Sequence, residues 1–225
     1  PNDPFDLSRM YGEQAFDRRI VYNTYVVAQE PWFRGQNGLV GRVAGGWTLA
    51  PIFTAGAGAP VWCGTWTGAQ AWGAGDGNNY YDNEQCVFTS PYNAGHSAHF
   101  GVTGGTDQFG NSVGTGVSNT AVNMFKNPVA VWNQVRAPIL GIDAKSNGVG
   151  PILGQPYWNM DAQLKKDIRI TESATFEFSF IAANVLNHRQ FWDPSLGLNE
   201  SSSWGVLNTQ VNSPRQMEFG GRITF

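Results

Sequence analysis

The chain carries little charge and no excess of basic residues. Its 225 residues include 14 Lys or Arg and 17 Asp or Glu, which gives a formal net charge of −3. A protein that binds nucleic acid needs a basic surface to replace the counterions of the phosphates. Charged residues are 14% of the chain, whereas an average soluble domain has about 25%. The composition therefore argues against a nucleic-acid partner and is unusual for a cytosolic protein.

Long apolar stretches are missing as well. No segment approaches the roughly 18 consecutive apolar residues that a transmembrane helix requires. The first residues, Pro1 to Phe5, have neither the basic region nor the apolar region of a signal peptide. We therefore expect either that a signal has been removed or that the sequence begins inside a longer protein.

Residues with catalytic or metal-binding chemistry are few. The three histidines are His96, His99 and His188, and none lies in a motif with a nucleophile or a metal-binding Glu. Residues 76–84 offer clustered oxygen ligands, as calcium prefers, but Tyr80 breaks the EF-hand pattern. The sequence predicts no enzyme activity, no metal site and no cofactor.

The chain has only two cysteines, Cys63 and Cys86. Two thiols alone cannot build a tetrahedral zinc site. The simplest interpretation is one disulfide formed in an oxidising compartment, and the alternative is a pair of unrelated thiols. If it forms, the bridge would stabilise its loop by roughly 3 kcal/mol in the chain-entropy account.

Alternating strands are the strongest positive signal. Aromatic residues make up 13% of the chain, and apolar and polar residues alternate with period two in several segments. Near the end of the chain, Met217, Phe219 and Ile223 share one side of the pattern, and Glu218 and Arg222 share the other. This alternation predicts a strand with one apolar and one polar face.

The pattern predicts an all-β fold with about five antiparallel strands. In chain order the strands are expected near residues 19–29, 46–55, 160–170, from 175 onward, and 216–225, with a helical turn at 39–43. The fourth strand is expected to continue through Val185 toward Phe191, and a tight turn at 171–174 joins it to the third.

A long Gly-rich segment separates the second predicted strand from the third. A connection of this length is uncommon inside a compact domain, but outer-membrane barrels carry such loops on their extracellular side. The predicted organisation is two barrel strands with a periplasmic connection in 1–60, a long extracellular loop in 61–155, and three barrel strands in 156–225.

Three features favour membrane strands over a soluble sandwich. Short connections at one end of the strands contrast with long ones at the other, as in transmembrane barrels. The polar residues of several strands fall on one face, which suits a water-filled lumen: Asp161, Lys165, Asp167, Arg169, Glu177, Gln216, Glu218 and Arg222. Aromatic residues near the strand ends would form the girdles at the lipid headgroups, with ordinary core packing as the alternative for each of them: Trp32, Trp47, Tyr157, Trp158 and Trp192.

Several segments resemble the C-terminal end of TonB-dependent outer-membrane receptors, in particular the Oar-like group with a carboxypeptidase-regulatory-like domain. They are PYWNMDAQLKKDIRITE at 156–172, FEFSFIAANVLNHRQF at 176–191 and SPRQMEFGGRITF at 213–225, with shorter matches at DRR 17–19, GGW 45–47 and MFKNP 124–128. The resemblance implies a transmembrane β-barrel in the cell outer membrane that takes up a scarce substrate with energy delivered through TonB. It also implies that Phe225, with Ile223 and Phe219 behind it, is the signal for the barrel-assembly machinery.

The chain departs from that family in lacking a plug domain and most of the barrel. Five strands cannot close, because the smallest barrels have eight. Open edges in lipid would leave backbone groups unpaired at a cost of several kcal/mol each. The expected partners are therefore the remaining barrel strands and plug of the same receptor, the outer-membrane lipid, and the TonB system through the plug. We expect the chain to be the C-terminal piece of a receptor that is cut, or otherwise interrupted, within a surface loop.

Aromatic residues cluster in the long loop around Cys63, at Trp62, Trp66, Trp72, Tyr80 and Tyr81. One interpretation is a small core under the disulfide. The other is a platform that faces the extracellular side and binds sugar rings, peptides or another apolar ligand.

Three functions remain open from the sequence. The first is a segment of a TonB-dependent transporter. The second is an outer-membrane barrel that serves as a surface interaction or assembly protein through its long loop. The third is a soluble secreted β-sandwich that binds glycans.

Overall fold

A computed structural model of the chain describes residues 12–64, 86–91, 97–116, 122–137 and 152–225. The chain divides into two compact units. We call the first the loop unit (Pro1–Ile20, Ala57–Pro156 and Phe191–Val211) and the second the sheet unit (Val21–Gly56, Tyr157–Gln190 and Asn212–Phe225).

Strands dominate the described residues. In chain order they are β1 (Val21–Tyr25), β2 (Ala28–Gln29), β3 (Trp47–Gly56), β4 (Pro60–Val61), β5 (Cys63–Gly64), β6 (Val87–Phe88), β7 (His99–Phe100), β8 (Gly105–Thr106), β9 (Ser112–Val113), β10 (Val122–Asn123), β11 (Val135–Arg136), β12 (Ile152–Leu153), β13 (Tyr157–Arg169), β14 (Thr175–Ala183), β15 (Leu196–Gly197) and β16 (Gln216–Thr224). The helices are α1 (Gly38–Ala44), α2 (Pro128–Trp132) and a 3-10 turn at Ser201–Ser203. In the part of the chain that the structure describes, no helix has the length and apolarity needed to cross a membrane.

The sheet unit is one antiparallel sheet in the order β1-β3-β13-β14-β16, and β2 also pairs with β3. The long strands are in continuous register, for example Leu164 opposite Leu49 and Phe180. The predicted all-β fold is confirmed. Among the described residues, β1 and β16 each pair with a single strand, so both edges of this sheet expose backbone groups on one side.

The register sorts the sheet into two faces of opposite character. We call one the polar face; its polar members include Thr48, Thr54, Asn159, Asp161, Gln163, Lys165, Asp167, Arg169, Glu177, Ser179, Gln216, Glu218 and Arg222. The other, the apolar face, includes Trp47, Leu49, Phe53, Trp158, Met160, Leu164, Ile168, Phe176, Phe178, Phe180, Met217, Phe219 and Ile223. The charges that the sequence assigned to one face do share it, because side chains alternate along every strand.

The two ends of the sheet differ in their connections. Residues 171–174 form the tight turn predicted between β13 and β14, where the Ile170 N–H bonds to the Ala174 carbonyl at 2.9 Å. We call this the hairpin end; it also holds the connection from β2 to β3. At the other end, the loop end, the chain leaves the sheet after Gly56 and after Ala183.

The first predicted strand is interrupted because of a proline in its neighbour. The pairing of Tyr25 with Ile52 and of Ala28 with Leu49 keeps one register across the interruption. Between them the Val26 N–H donates to the Pro51 carbonyl at 3.1 Å, but Pro51 has no N–H to return. The strand expected over 19–29 is therefore divided into β1 and β2.

The expected aromatic girdle is wrong for one residue. Tyr157 and Trp158 are consecutive in β13, so they point to opposite faces. Tyr157 lies on the polar face above Gly56, where a Cβ would come within 2.3 Å of the Tyr157 ring. Trp158 lies on the apolar face and contacts Phe53 at 6.3 Å between ring centroids.

The fourth strand also ends earlier than expected. The sequence predicts continuation toward Phe191, but β14 stops at Ala183. The next residue, Asn184, has a φ of 50°, in the left-handed region where extended pairing cannot continue.

The loop unit has its own hydrophobic core, and the disulfide is part of it. Cys63 and Cys86 are bridged as predicted, and both are buried. The Cys86 N–H also donates to the Cys63 carbonyl at 2.8 Å. The core residues are Val61, Cys63, Cys86, Val113, Met124, Phe125, Val131, Ile152, Leu196, Trp204 and Leu207.

Trp204 is the largest fully buried side chain of this core. Its indole meets Trp132 edge to face at 5.1 Å and stacks with Phe125 at 6.1 Å. Because Trp204 belongs to the 191–211 connection, the core joins two loops that are far apart in sequence. The sequence predicts a large loop only over 61–155, and the structure adds the contribution of the 191–211 connection to its core.

Replacing Trp204 with Ala should lower the free energy of unfolding of the loop unit by about 3–5 kcal/mol, because it removes a fully buried aromatic side chain. Pulse proteolysis of the purified protein in detergent, with cleavage sites in the loop unit mapped by mass spectrometry, measures the change. Trp192→Ala is the matched control, since Trp192 is in the same connection but exposed. Equal resistance of the two variants would contradict the assigned core.

Candidate functional site

The predicted aromatic platform falls largely outside the described residues. Trp66, Trp72, Tyr80 and Tyr81 all lie there, as do His96 and the acidic segment 76–84. Trp62 is described and is half-buried beside the bridged Cys63. The platform therefore stays a prediction. Among the described residues, no group of three or more His, Cys, Asp or Glu side chains could hold a metal ion.

Charged side chains form a row across the polar face. Lys165 Nζ lies 2.7 Å from a Glu177 carboxylate oxygen and 3.4 Å from one of Asp167. On the next strand Arg222 is directly opposite Glu177. The Lys165, Asp167 and Glu177 side chains are 33%, 40% and 34% exposed, so each ion pair contributes at most about 1 kcal/mol of stability. Their chief effect is to make this face hydrophilic.

At the loop end, Asp161 and Asn184 form the centre of a second polar group. The Asp161 Oδ1 accepts a hydrogen bond from the Asn184 backbone N–H at 2.7 Å and another from the Asn159 side chain at 2.8 Å. The carboxylate therefore stabilises the chain at the point where β14 ends.

The Asn184 side chain fixes the turn that follows. Its Oδ1 accepts from the His188 backbone N–H at 2.8 Å, and its Nδ2 donates to the carbonyls of His188 at 3.0 Å and Ser213 at 3.1 Å. Asn187 adds a bond from the Arg215 N–H at 3.1 Å. The segment that leaves β14 is thereby bound to the segment that enters β16.

His188 completes this end of the sheet unit. Its imidazole stacks on the Trp158 indole with centroids 3.8 Å apart and planes at 20°. Partial burial against the ring lowers the pKa of His188 below the ordinary value of 6.5, because desolvation disfavours the charged imidazole. The histidine is thus kept neutral as a packing group.

At the hairpin end, one lysine lies on the apolar face. Lys166 is buried, at 5% exposure, and its Nζ donates to the Val43 carbonyl at 2.9 Å and to the Gly45 carbonyl. These carbonyls belong to the C-terminal end of α1, where the helix dipole favours a cation. The Trp47 indole lies 4.8 Å below the amine and donates its own N–H to Val43 at 3.0 Å.

At the same end, the side-chain amide of Gln36 makes hydrogen bonds to the backbone of β13, as a neighbouring strand would. Its side-chain Nε2 donates to the Asp167 carbonyl at 2.6 Å, and its Oε1 accepts from the Arg169 N–H at 3.0 Å. The amide therefore satisfies the backbone of β13 beyond the start of β3 at Trp47.

The same contacts explain the Gly-Gly-Trp motif at 45–47. A Cβ at Gly45 would lie 2.2 Å from the Phe33 carbonyl oxygen, and a Cβ at Gly46 would lie 2.3 Å from the Asp167 oxygen. Gly46 also has a φ of 76°. Only glycine allows both close approaches, and Trp47 then covers Lys166.

The three residues of the predicted assembly signal lie at the last strand. Phe219 and Ile223 are on the apolar face of β16, and Phe219 contacts Phe180 at 4.9 Å. Phe225 follows the strand and is 93% exposed. Their assembly role stays a prediction.

Sequence reasoning missed Gln36, Lys166 and Asn184 because their partners are distant in the chain. A signal existed for one of them: Lys166 occupies an apolar position of the alternating pattern and needs a polar partner there.

The comparisons with known proteins give one match. A family model described as an outer membrane beta barrel domain matches residues 1–218. No curated protein and no solved structure matches the chain.

Asn184→Ala should destabilise the sheet unit by about 1 kcal/mol more than Asn184→Gly. Both variants lose the side-chain hydrogen bonds, but Ala keeps a Cβ at positive φ and its strain, whereas Gly removes them. Thermal unfolding in detergent measures the difference. Asn187 also has a positive φ, but it is exposed and its side chain accepts a hydrogen bond from the Arg215 N–H, so Asn187→Gly should cost less than Asn184→Gly. The opposite order would contradict the assigned network.

His188 should make the stability depend on pH. The unfolded chain holds an ordinary histidine with a pKa of 6.5, while the folded chain holds one with a lower pKa. The folded state then binds fewer protons between the two values, so stability is full above about pH 6.5 and declines as the pH falls below it. His188→Phe keeps a ring on Trp158 and should flatten the melting temperature between pH 8 and pH 5. A pH slope that persisted in this variant would contradict the role assigned to His188.

Proposed function

The chain belongs to the outer membrane beta barrel domain family, and from this premise we propose that it forms part of the wall of a TonB-dependent receptor that imports a scarce substrate. Its location is the outer membrane. In this proposal the chain supplies strands, a polar lumen surface and a large surface loop. Gating and energy coupling belong to a plug outside the described strands.

The polar face carries this proposal. A transporter wall needs water-compatible side chains toward the lumen and apolar ones toward lipid. The row formed by Lys165, Asp167, Glu177 and Arg222 crosses neighbouring strands on one face, while phenylalanines occupy the other. A sheet that served only as an anchor would not need charges aligned across several strands.

The open edges support the proposed partners. In hydrocarbon each unpaired backbone group costs several kcal/mol, so the free sides of β1 and β16 must pair with further strands. We assign these to the rest of the same receptor, together with its plug, which would contact TonB.

The orientation follows from the connections. Barrels of this kind place short turns in the periplasm and long loops outside. The hairpin end, with its tight turn and the β2–β3 connection, is therefore assigned to the periplasm. Residues 61–155 are assigned to the cell exterior.

A second candidate function rests on the loop unit. Its disulfide and its core around Trp204 form a folded module larger than a simple connection needs. Such a module suits a surface interaction or assembly protein. The outer-membrane location disagrees with the third possibility, a soluble secreted sandwich that binds glycans.

Deleting the gene should leave one or a few solutes in the spent minimal medium that wild-type cells remove. In wild-type cells treated with a protonophore, the same solutes should remain in the medium, because TonB-dependent uptake draws on the inner-membrane proton gradient. Mass spectrometry of the medium measures both. Complementation with the intact gene should restore uptake, and with Lys165→Gln/Glu177→Gln should restore it only partly.

Trp192→Ala is the control, as an exposed residue of the loop unit. If the deletion changed no solute but abolished attachment of cells to one another or to a surface, the transporter proposal would be wrong and the second candidate would replace it.

A further inference from the structure

The connection from β2 to β3 exposes an unusual group of apolar side chains. Trp32, Leu39, Val40 and Val43 are 83%, 81%, 69% and 66% exposed. They are not part of a strand, so the alternation of the sheet does not account for them. We call the segment Trp32–Val43 the connection helix region, since it contains α1.

This region is held firmly by the hairpin end of the sheet. Lys166 binds the carbonyls at the end of α1, Trp47 donates to Val43, and Gln36 pairs with the backbone of β13. Earlier in the connection, the Glu30 carboxylate accepts from the Phe33 N–H at 2.7 Å and from that of Trp32. Backbone groups and buried side chains thus fix the segment, while its large apolar side chains point away from the protein.

The contacts also fix which face of the sheet the helix adjoins. Lys166 and Trp47 are opposite each other in register on the apolar face. The end of α1 therefore adjoins the surface that faces lipid in an outer-membrane barrel. The exposed side chains of α1 therefore lie near that apolar surface, at the ends of the strands.

Two cations accompany the apolar side chains. Arg34 and Arg42 are both exposed, and α1 has no acidic residue in its first turn. A short helix with exposed Leu and Val, a nearby Trp and flanking Arg has the composition of an interfacial anchor. The arginines match the phosphates of headgroups, and the aliphatic side chains match the upper part of the acyl chains.

We propose that the connection helix region binds the phospholipids of the periplasmic leaflet of the outer membrane. Leu39, Val40 and Val43 insert into the boundary of the acyl chains, Trp32 lies at headgroup level, and Arg34 and Arg42 contact phosphate. The assignment to the periplasmic leaflet rests on the orientation given under Proposed function. The contact with lipid itself rests on the geometry of α1.

The depth of α1 in a membrane tests this proposal. Both cysteines of this sequence are in the disulfide, so an introduced cysteine is the one free thiol that it contributes. Leu39→Cys and Glu172→Cys are made in the full chain with its native partners, reconstituted in vesicles and labelled with bimane. Glu172 is the matched control, because it is exposed in the turn at the same end of the sheet.

The expected result is that brominated phospholipid quenches bimane at position 39 at least twofold more than at position 172, and that aqueous iodide shows the reverse order. Equal iodide quenching at the two positions would place α1 in water and overturn the proposal. Protection of position 39 from both quenchers would mean that a protein surface covers it, which would overturn the proposal equally.

A charge variant tests the headgroup contact. Brominated phosphatidylglycerol in a phosphatidylcholine background should quench position 39 more than brominated phosphatidylcholine at the same mole fraction. Each arginine near the surface should enrich the anionic lipid about fivefold. Arg34→Gln/Arg42→Gln should remove the preference. A preference that persisted in this variant would contradict the assigned role of the arginines.

Sidedness is measured separately, so that the two proposals fail independently. In intact cells, a membrane-impermeant maleimide should not label Glu172→Cys until the outer membrane is permeabilised. Labelling of intact cells would overturn the orientation and the assignment to the periplasmic leaflet, even where bromolipid quenching showed insertion of α1.

Discussion

Backbone hydrogen bonding in a medium without water is the constraint on which the sheet depends. Each N–H and C=O of a membrane strand must be bonded within protein, so the strands need unbroken register. The ladder from β3 through β13 and β14 to β16 meets this demand. The ladder is interrupted at two places. At Pro51, which has no N–H, the Val26 N–H still bonds to the Pro51 carbonyl. Beyond the start of β3, the Gln36 side-chain amide bonds to the backbone of β13. In the proposed receptor, further strands would meet the same constraint beside β1 and β16.

The features that could be predicted from the sequence are the strands and the tight turn, which neighbouring residues determine, and the disulfide. Alternation over 160–170 and 216–225 identifies strands and their polar side because a pleated backbone has a period of two. The 171–174 turn follows from the short gap between two such segments. The disulfide followed because the sequence has only Cys63 and Cys86 to pair. Even the error at Tyr157 lies within this logic, since Trp158 beside it must point the other way.

The remainder depends on contacts between residues far apart in the chain. The sequence pattern predicts Asn184 to be part of the fourth strand. In the structure its side chain instead donates a hydrogen bond to the Ser213 carbonyl, 29 residues away. Trp204 lies in a connection far from Phe125 and Trp132 along the chain, and no sequence pattern predicts that the three rings pack together. Most of the aromatic cluster predicted as a ligand platform lies outside the described residues, so the candidate binding surface rests on sequence alone. The fold was thus more predictable than the site.

Lys166 and α1 show how two unfavourable elements can stabilise each other. A lysine on a lipid-facing strand surface is costly unless its amine finds partners. A helix as short as α1 is marginal by itself, because few of its backbone groups bond within the helix. The amine binds carbonyls that the helix leaves unsatisfied, and Trp47 shields the pair. Each element therefore supplies what the other lacks, and the resulting rigid segment can present apolar side chains outward at the hairpin end of the sheet.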